Sequence, residues 1–392
     1  MEKPVIVAAR RTAVGRFQGG LASIPASKLG AEVVKDILAQ TKVDPNEIDE
    51  VIMGNVIQAG QGQNPARQAA IWGGIPPEKA AMTVNKVCGS GLKSIVLAAQ
   101  AIKLGDAKMI IAGGMETMRR APYLLFQARD GYRLGHGKVV DSMVNDGLWD
   151  IYNDFHMGNT GELVADKYKI PREAQDEYAY GSHQKALAAQ ERGDFKDEIV
   201  PVSVPQRKGD PVVIDTDEGP RKETTLERLA KLKPAFKKDG SVTPGNASSI
   251  NDGAAAVLVA SESRAKELGL PILAYIDAYD VGGMEPEWVM MAPVKAVGNL
   301  LNKTGEKITD FDLVELNEAF SVQAIAVSNE LEIPKDRINV NGGAVAIGHP
   351  IGCSGARILV TLLHAMKKRD AKKGLASLCL GGGNAVAMSV SI

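Results

Sequence analysis

Two stretches of the chain repeat at a nearly constant distance. Asp106-Ala107-Lys108 lies 15 residues after Gly91, and Asp370-Ala371-Lys372 lies 15 residues after Gly355. Each triplet runs into a short apolar segment and then a glycine-rich turn. Upstream, Asp49 precedes Gly91 by 42 residues and Asp312 precedes Gly355 by 43, so the offset is 263 for one pair and 264 for the other. A persistent offset of this kind marks an internal duplication. It restricts the fold to two similar halves, and a site shared between them sits where they meet.

Inside each half, strands and helices are predicted to alternate. Residues 4–9 have the apolar content of a strand, and residues 29–40 place Leu29, Val33, Val34 and Ile37 at helical spacing, with Ser27 as the predicted N-cap. Residues 48–56 form a second strand and residues 66–72 an alanine-rich helix. Residues 81–87 read as a buried strand, and the segment from Cys88 as a helix with Ile95, Leu97, Ala98, Ala99 and Ile102 on its apolar face. The alternation predicts an α/β fold with a parallel, helix-covered sheet. Between residues 119 and 250 strand-like runs thin out, charge rises, and Pro171 opens a helix over residues 173–192. A structureless stretch of that length is improbable, so a compact inserted subdomain is expected. The halves are then residues 1–118 completed by 249–270, and residues 271–392, with residues 119–248 inserted.

Composition narrows the function classes. At 392 residues the chain exceeds one ordinary core, and 45% apolar content is ample for burial. A net charge of −1 provides no basic field of the kind that draws in nucleic acid. Three cysteines, Cys88, Cys353 and Cys379, make neither a disulfide framework nor a CxxC metal pattern and suit a reducing compartment. No signal-peptide core and no run of 18 apolar residues is present, so the expectation is a cytoplasmic protein with no membrane and no metal partner.

Reactive side chains collect at predicted strand ends. Gly89, Ser90 and Gly91 let the backbone turn sharply after Cys88, at a helix N-terminus whose N–H groups and dipole stabilise a thiolate. A small buried cysteine is the other reading of that stretch. Residues 339–355 hold five glycines and one histidine, His349, which can take a proton near neutral pH. Cys379 ends another apolar strand just before Gly381, and Asn317-Glu318 follows a further one. If the halves are duplicated, Cys88, Asn317, His349 and Cys379 share one cleft. A thiolate near a histidine accepts an acyl group from a thioester at little thermodynamic cost, and a second thiol of lowered pKa can act as base toward a carbon next to a carbonyl. A papain-like hydrolase has no evident use for Cys379, which favours carbon–carbon chemistry. The insert's lysines and arginines, from Arg207 to Lys238, read either as a solvated face or as a site for a phosphorylated ligand.

The motifs resemble those of the thiolases from end to end. They are residues 85–92 around Cys88, Asn317-Glu318-Ala319-Phe320, residues 341–355 with Gly348-His349-Pro350, and Cys379-Leu380-Gly381-Gly382-Gly383. His156-Met157-Gly158 and residues 88–93 resemble the short-chain, biosynthetic branch of that family. The resemblance implies the thiolase fold, a five-layered αβαβα core of duplicated halves with an inserted loop subdomain. It implies that acetyl-CoA acylates Cys88 while His349 takes the thiol proton, and that Cys379 deprotonates a second acetyl-CoA, giving acetoacetyl-CoA and CoA. Asn317, through a water, would join His349 in one oxyanion hole, and the Cys88 and Gly381 N–H groups would form the other. For CoA it implies Arg221 by the nucleotide, Leu232 and Phe236 against adenine or pantetheine, Ser248 and His156 on the pantetheine arm, and Met157 closing the acyl pocket. Ala319 and Phe320 complete the implied substrate-binding set. The thioester is the substrate, so no cofactor is expected, and the family's assembly implies a homotetramer, a dimer of dimers.

Some residues depart from the pattern. Val289-Met290-Met291-Ala292-Pro293 stands where relatives commonly carry a glycine-containing turn, so acyl-chain preference is left open, with a degradative 3-ketoacyl-CoA thiolase for longer chains as the alternative. Cys353 is expected to be a packing residue. His136, His183 and His364 match no motif and are expected to be structural or on the surface. Two thiols that share a substrate would also be close enough for oxidation to link them.

Overall fold

A computed structural model describes residues 1–392. Both halves carry one strand order. In the first, Ala80–Val84, Glu50–Gly54, Met109–Thr117, Asn251–Ser261 and Pro4–Thr12 lie side by side. In the second, Leu313–Leu316, Lys373–Leu380, Asn384–Ser391 and Ala274–Gly283 follow the same sequence, with Ile338 bridged to Val314 in the place of the edge strand. The halves join where Val5 and Ile6 pair with Tyr275 and Ala274, so their strands belong to one 11-stranded sheet.

That sheet is mixed, not parallel as the alternation of elements predicted. Glu50–Gly54 runs parallel to both its neighbours, but Asn251–Ser261 is antiparallel to Met109–Thr117 and to Pro4–Thr12. The second half shows why. Only Gly381, Gly382 and Gly383 separate Lys373–Leu380 from Asn384–Ser391, and a connection that short makes a hairpin, whereas parallel neighbours need a crossover of a dozen residues or so. In the first half the insert fills the equivalent position. It leaves at Thr117 and returns at Asn251, and Thr117 pairs with Asp252, so its two ends lie side by side.

Alternation along each strand sends successive side chains to different cores. Ile110 and Ala112 join the central cluster while Met109 and Ile111 join an outer one; in the second half Ala376 and Leu378 face the centre while Leu375 and Cys379 face the other outer cluster. Helices Ala26–Thr41 and Pro65–Trp72 cover one outer face, Ala292–Thr304 and Ser321–Glu330 the other, and Ser90–Leu104 and Ile351–Arg369 lie between the sheet halves. The result is five layers, αβαβα. The Ala26–Thr41 helix has Pro25, not Ser27, at its N-cap, because Ser27 Oγ is turned to Gln68 Oε1 at 3.0 Å.

The two central helices cross at glycines. A Cβ at Gly91 would lie 2.7 Å from the Ala356 nitrogen, and one at Gly355 would lie 2.5 Å from that of Leu92. Gly91→Ala is therefore expected to cost about 1–3 kcal/mol, measured as a drop in the denaturant midpoint. An unchanged midpoint would mean that the helices part there without penalty.

The insert is held to the second half by Glu318. Its carboxylate accepts from Tyr178 Oη (3.1 Å) and Ser182 Oγ (2.8 Å) on the Arg172–Arg192 helix, and from Asn339 Nδ2 (2.9 Å) and Val345 N (3.1 Å) beyond it. A buried charge is tolerated when every lone pair has a donor.

Candidate active site

The strand and helix around Cys88 are both shorter than predicted. Strand geometry stops at Val84 and helix geometry starts at Ser90, which leaves Cys88 in the turn between them. That turn is strained. Val87 has φ of +46°, a left-handed conformation that costs a β-branched residue about 1–3 kcal/mol. Local bonds hold it: Val87 N donates to Asn85 Oδ1 at 3.0 Å, Lys86 N donates to Ser90 Oγ at 2.9 Å, and that hydroxyl donates to Val87 O at 2.6 Å. Asn85 and Ser90 thus fix the sulfur's direction.

His349 enters from the loop before the other central helix. Its backbone N–H donates to Asn251 Oδ1 at 2.8 Å, and Asn251 Nδ2 donates to Gly15 O at 3.0 Å. Gly348 has φ of +118°, and a Cβ there would meet the Asn251 amide at 2.4 Å, so only glycine lets Asn251 hold the loop. On the ring, Nδ1 lies 2.6 Å from Ser354 Oγ and 3.5 Å from Asn317 Nδ2. Asn317 is fully buried behind His349, and its Oδ1 has no protein partner.

Burial decides the protonation states. The Cys88 thiol is pushed up to about 12 by desolvation, against hydrogen bonds from the Gly381 N–H and its own N–H. Burial, and then the neighbouring Cys88, hold Cys379 well above the ordinary thiol range. His349 is lowered to about 3 by burial and by the Arg357 guanidinium. Desolvation thus works against the helix terminus: it raises both thiols and lowers the imidazole.

Cys88, His349, Cys379 and Gly381 line one cavity of about 490 Å³, and so do His156, Met157, Arg221, Phe236, Ser248, Ala319 and Phe320. His156 stacks on Phe236 with centroids 4.8 Å apart, and Phe236 meets Phe320 edge-on at 6.3 Å. His156 Nδ1 accepts from Gly158 N at 3.0 Å, which leaves its Nε2–H free to donate. Two residues of the sequence-derived set lie elsewhere. Asn317 is behind the wall, and Leu232 lines a second cavity of about 300 Å³ that shares Gly219, Arg221, Pro244, Ala247 and Ser249 with the first. No group of three or more His, Cys, Asp or Glu side chains converges as a metal site.

Comparison with known proteins agrees with this geometry over the whole chain. The family model for the thiolase N-terminal domain matches residues 4–263, and that for the thiolase C-terminal domain matches residues 270–392. The chain belongs to the thiolase family. An acetyl-CoA acetyltransferase of Pseudomonas aeruginosa is 59% identical to this thiolase over 391 residues, covering 100% of both chains. One from Cupriavidus necator is 58% identical over 390 residues, covering 100% of this chain and 99% of the other. The crystal structure of the Bacillus anthracis acetyl-CoA acetyltransferase superposes with a TM-score of 0.98 at 44% identity, over 100% of this chain and 99% of that one.

The structure of this thiolase also brings forward residues that no motif marked. His183, expected to be structural or on the surface, is buried and lines the second cavity, where its Nδ1 accepts from Arg221 N at 3.2 Å; burial and Arg221 lower it to about 4. Glu116 accepts from Val56 N (3.0 Å), Asn55 Nδ2 (2.7 Å) and Gly352 N (3.1 Å), linking the sheet to the helix after His349, and desolvation raises it to about 7. Asn251 and Ser354 were silent too. Ser354 lies within the glycine-rich motif of residues 341–355, but no role is legible for it there, because such a motif specifies a turn and not its partners.

Proposed function

We propose that this thiolase is an acetyl-CoA acetyltransferase that condenses two acetyl-CoA molecules reversibly to acetoacetyl-CoA and CoA. The observation that carries the reading is that two thiols, one imidazole and the Gly381 N–H face a single cavity. Cys88 Sγ attacks the acetyl carbonyl and passes its proton to His349, while the N–H groups of Cys88 and Gly381 receive the developing oxyanion. CoA departs as a thiolate and takes the Cys379 proton, leaving acetyl-Cys88, a Cys379 thiolate and an imidazolium. That thiolate removes a proton from the methyl of the second acetyl-CoA. The same burial that makes Cys379 a reluctant acid makes it a strong base once ionised. The enolate oxygen is held by the protonated His349, with Asn317 packed behind its ring. The carbanion attacks the acetyl group, Cys88 leaves as thiolate, and His349 returns its proton, so both thiols are restored.

CoA fits the remaining lining. The free His156 Nε2–H and Ser248 suit the amides of pantetheine, Met157 and Phe320 suit a small acyl group, and Arg221 suits the diphosphate. Leu232 in the adjoining cavity would meet adenine. Acetyl selectivity is checked by comparing kcat/KM for thiolysis of acetoacetyl-CoA and of a medium-chain 3-ketoacyl-CoA. The expected preference for the short substrate is at least about tenfold, since each methylene in a pocket discriminates by about 10–200-fold. A reversed ratio would establish the degradative reading.

We further infer a homotetramer. Tyr123, Phe126, Leu134 and Val139 of the insert are exposed, and so is Met82 on the edge strand Ala80–Val84. An unpaired strand edge and exposed large apolar side chains are surfaces that a second copy covers.

A further inference from the structure

The mechanism above needs His349 to accept a proton from Cys88, and the protein already specifies which nitrogen is free to do so. Nδ1 lies 2.6 Å from Ser354 Oγ, and that oxygen lies 2.8 Å from the Pro350 carbonyl oxygen. Ser354 is fully buried and His349 nearly so. A hydroxyl has one proton, and a carbonyl oxygen only accepts. With the proton turned to Nδ1, two oxygens would face each other at 2.8 Å with no hydrogen between them, at low dielectric where that repulsion is strongest. With the proton on the Pro350 oxygen, which also accepts the Cys353 and Ser354 N–H groups, Ser354 Oγ is left as an acceptor and Nδ1 must be the donor. Asn317 Nδ2 lies 3.5 Å from the same nitrogen, long for a hydrogen bond beside the 2.6 Å contact to Ser354, so the serine is the stronger determinant of the ring's tautomer.

We infer that Ser354 is a positioning residue that fixes the proton of neutral His349 on Nδ1 and so presents the Nε2 lone pair to the Cys88 thiol. Serine does this without a charge. A carboxylate in that place would hold the ring as imidazolium; the neutral hydroxyl orients it and leaves it free to take up and return one proton in each half-reaction. Ser354 touches no substrate and acts only through the ring.

The inference rests on the acetyltransferase reading, and the test separates the two. Protein carrying ¹⁵N-histidine is examined by NMR, and the His349 resonances are assigned by their loss in His349→Asn. The wild type is expected to show a protonated Nδ1 and an unprotonated Nε2. Ser354→Ala is expected to shift the proton toward Nε2 and to slow acetylation of Cys88 by about 10–100-fold, less than the ~10²–10⁴-fold that a general base contributes because the imidazole itself is kept, with KM for acetyl-CoA changed less than about twofold. Ser354→Thr, which keeps the hydroxyl, is expected to restore both. A wild-type proton on Nε2, or Ser354→Ala with unchanged tautomer and unchanged acetylation rate, overturns the assignment, and the wild-type spectrum decides even if the variants do not fold. Absence of acetylation in the wild type would overturn the acetyltransferase reading instead, with the tautomer still measured.

Discussion

Cys88→Ser is expected to take up no acetyl group from acetyl-CoA and to lose about 10⁴-fold or more of its condensation activity, the scale on which removing a catalytic nucleophile acts. Serine is nearly the same size, and the turn around residue 88 is held by Asn85, Lys86, Val87 and Ser90, not by the sulfur. Its stability is therefore expected to stay within about 0.5–1 kcal/mol of wild type, so activity is lost without loss of fold. Intact mass after mixing with acetyl-CoA reads the result directly. An acetyl adduct of undiminished yield on Cys88→Ser would place the nucleophile elsewhere and sink the assignment.

Cys379→Ser should fail at the next step. Its Cys88 should still become acetylated, more slowly, because the departing CoA thiolate loses its proton donor. The acetyl-enzyme should then accumulate, since nothing removes the α-proton of the second acetyl-CoA. Condensation is expected to fall by about 10³–10⁴-fold, at the upper end of what a general base contributes. Serine is a poor substitute because its hydroxyl, buried as Cys379 is, ionises even less readily than the thiol. Mass spectrometry of the adduct and a parallel assay for acetoacetyl-CoA distinguish the steps. Condensation that survives in Cys379→Ser would require another base, since in the mechanism His349 is already protonated when the second acetyl-CoA is deprotonated.

How much of this was legible before the fold was known depends on distance along the chain. Cys88, Cys379 and Asn317 each belong to a short motif after a strand and His349 to one before a helix, and the repeated offset near 264 said that such segments converge. Local spacing carried that information. The directions of the pKa shifts did not follow, because a helix N-terminus is a local feature while the desolvation that opposes it comes from residues brought together by the fold. The placement of Asn317 behind His349 and of Leu232 in the adjoining cavity was hidden for the same reason. Sheet direction was misread because both halves end in a hairpin, and in the first half the insert separates the two strands that form it. Ser354 looked like any serine in the first turn of a helix. Only the approach of a ring five residues earlier in sequence gives it a task.

The insert begins and ends at neighbouring positions of one strand pair, Thr117 against Asp252. Where the second half closes the same gap with three glycines, the first half carries a whole subdomain with most of the implied CoA contacts. Lengthening a link between fixed ends is cheap, about 0.6 kcal/mol for each doubling. The side chains proposed to hold CoA thus sit mostly on a segment whose two ends are fixed by one strand pair, while Cys88, His349 and Cys379 lie outside it. A transplant of residues 119–248 from a long-chain relative should carry its chain-length preference across while Cys88, His349 and Cys379 stay where they are.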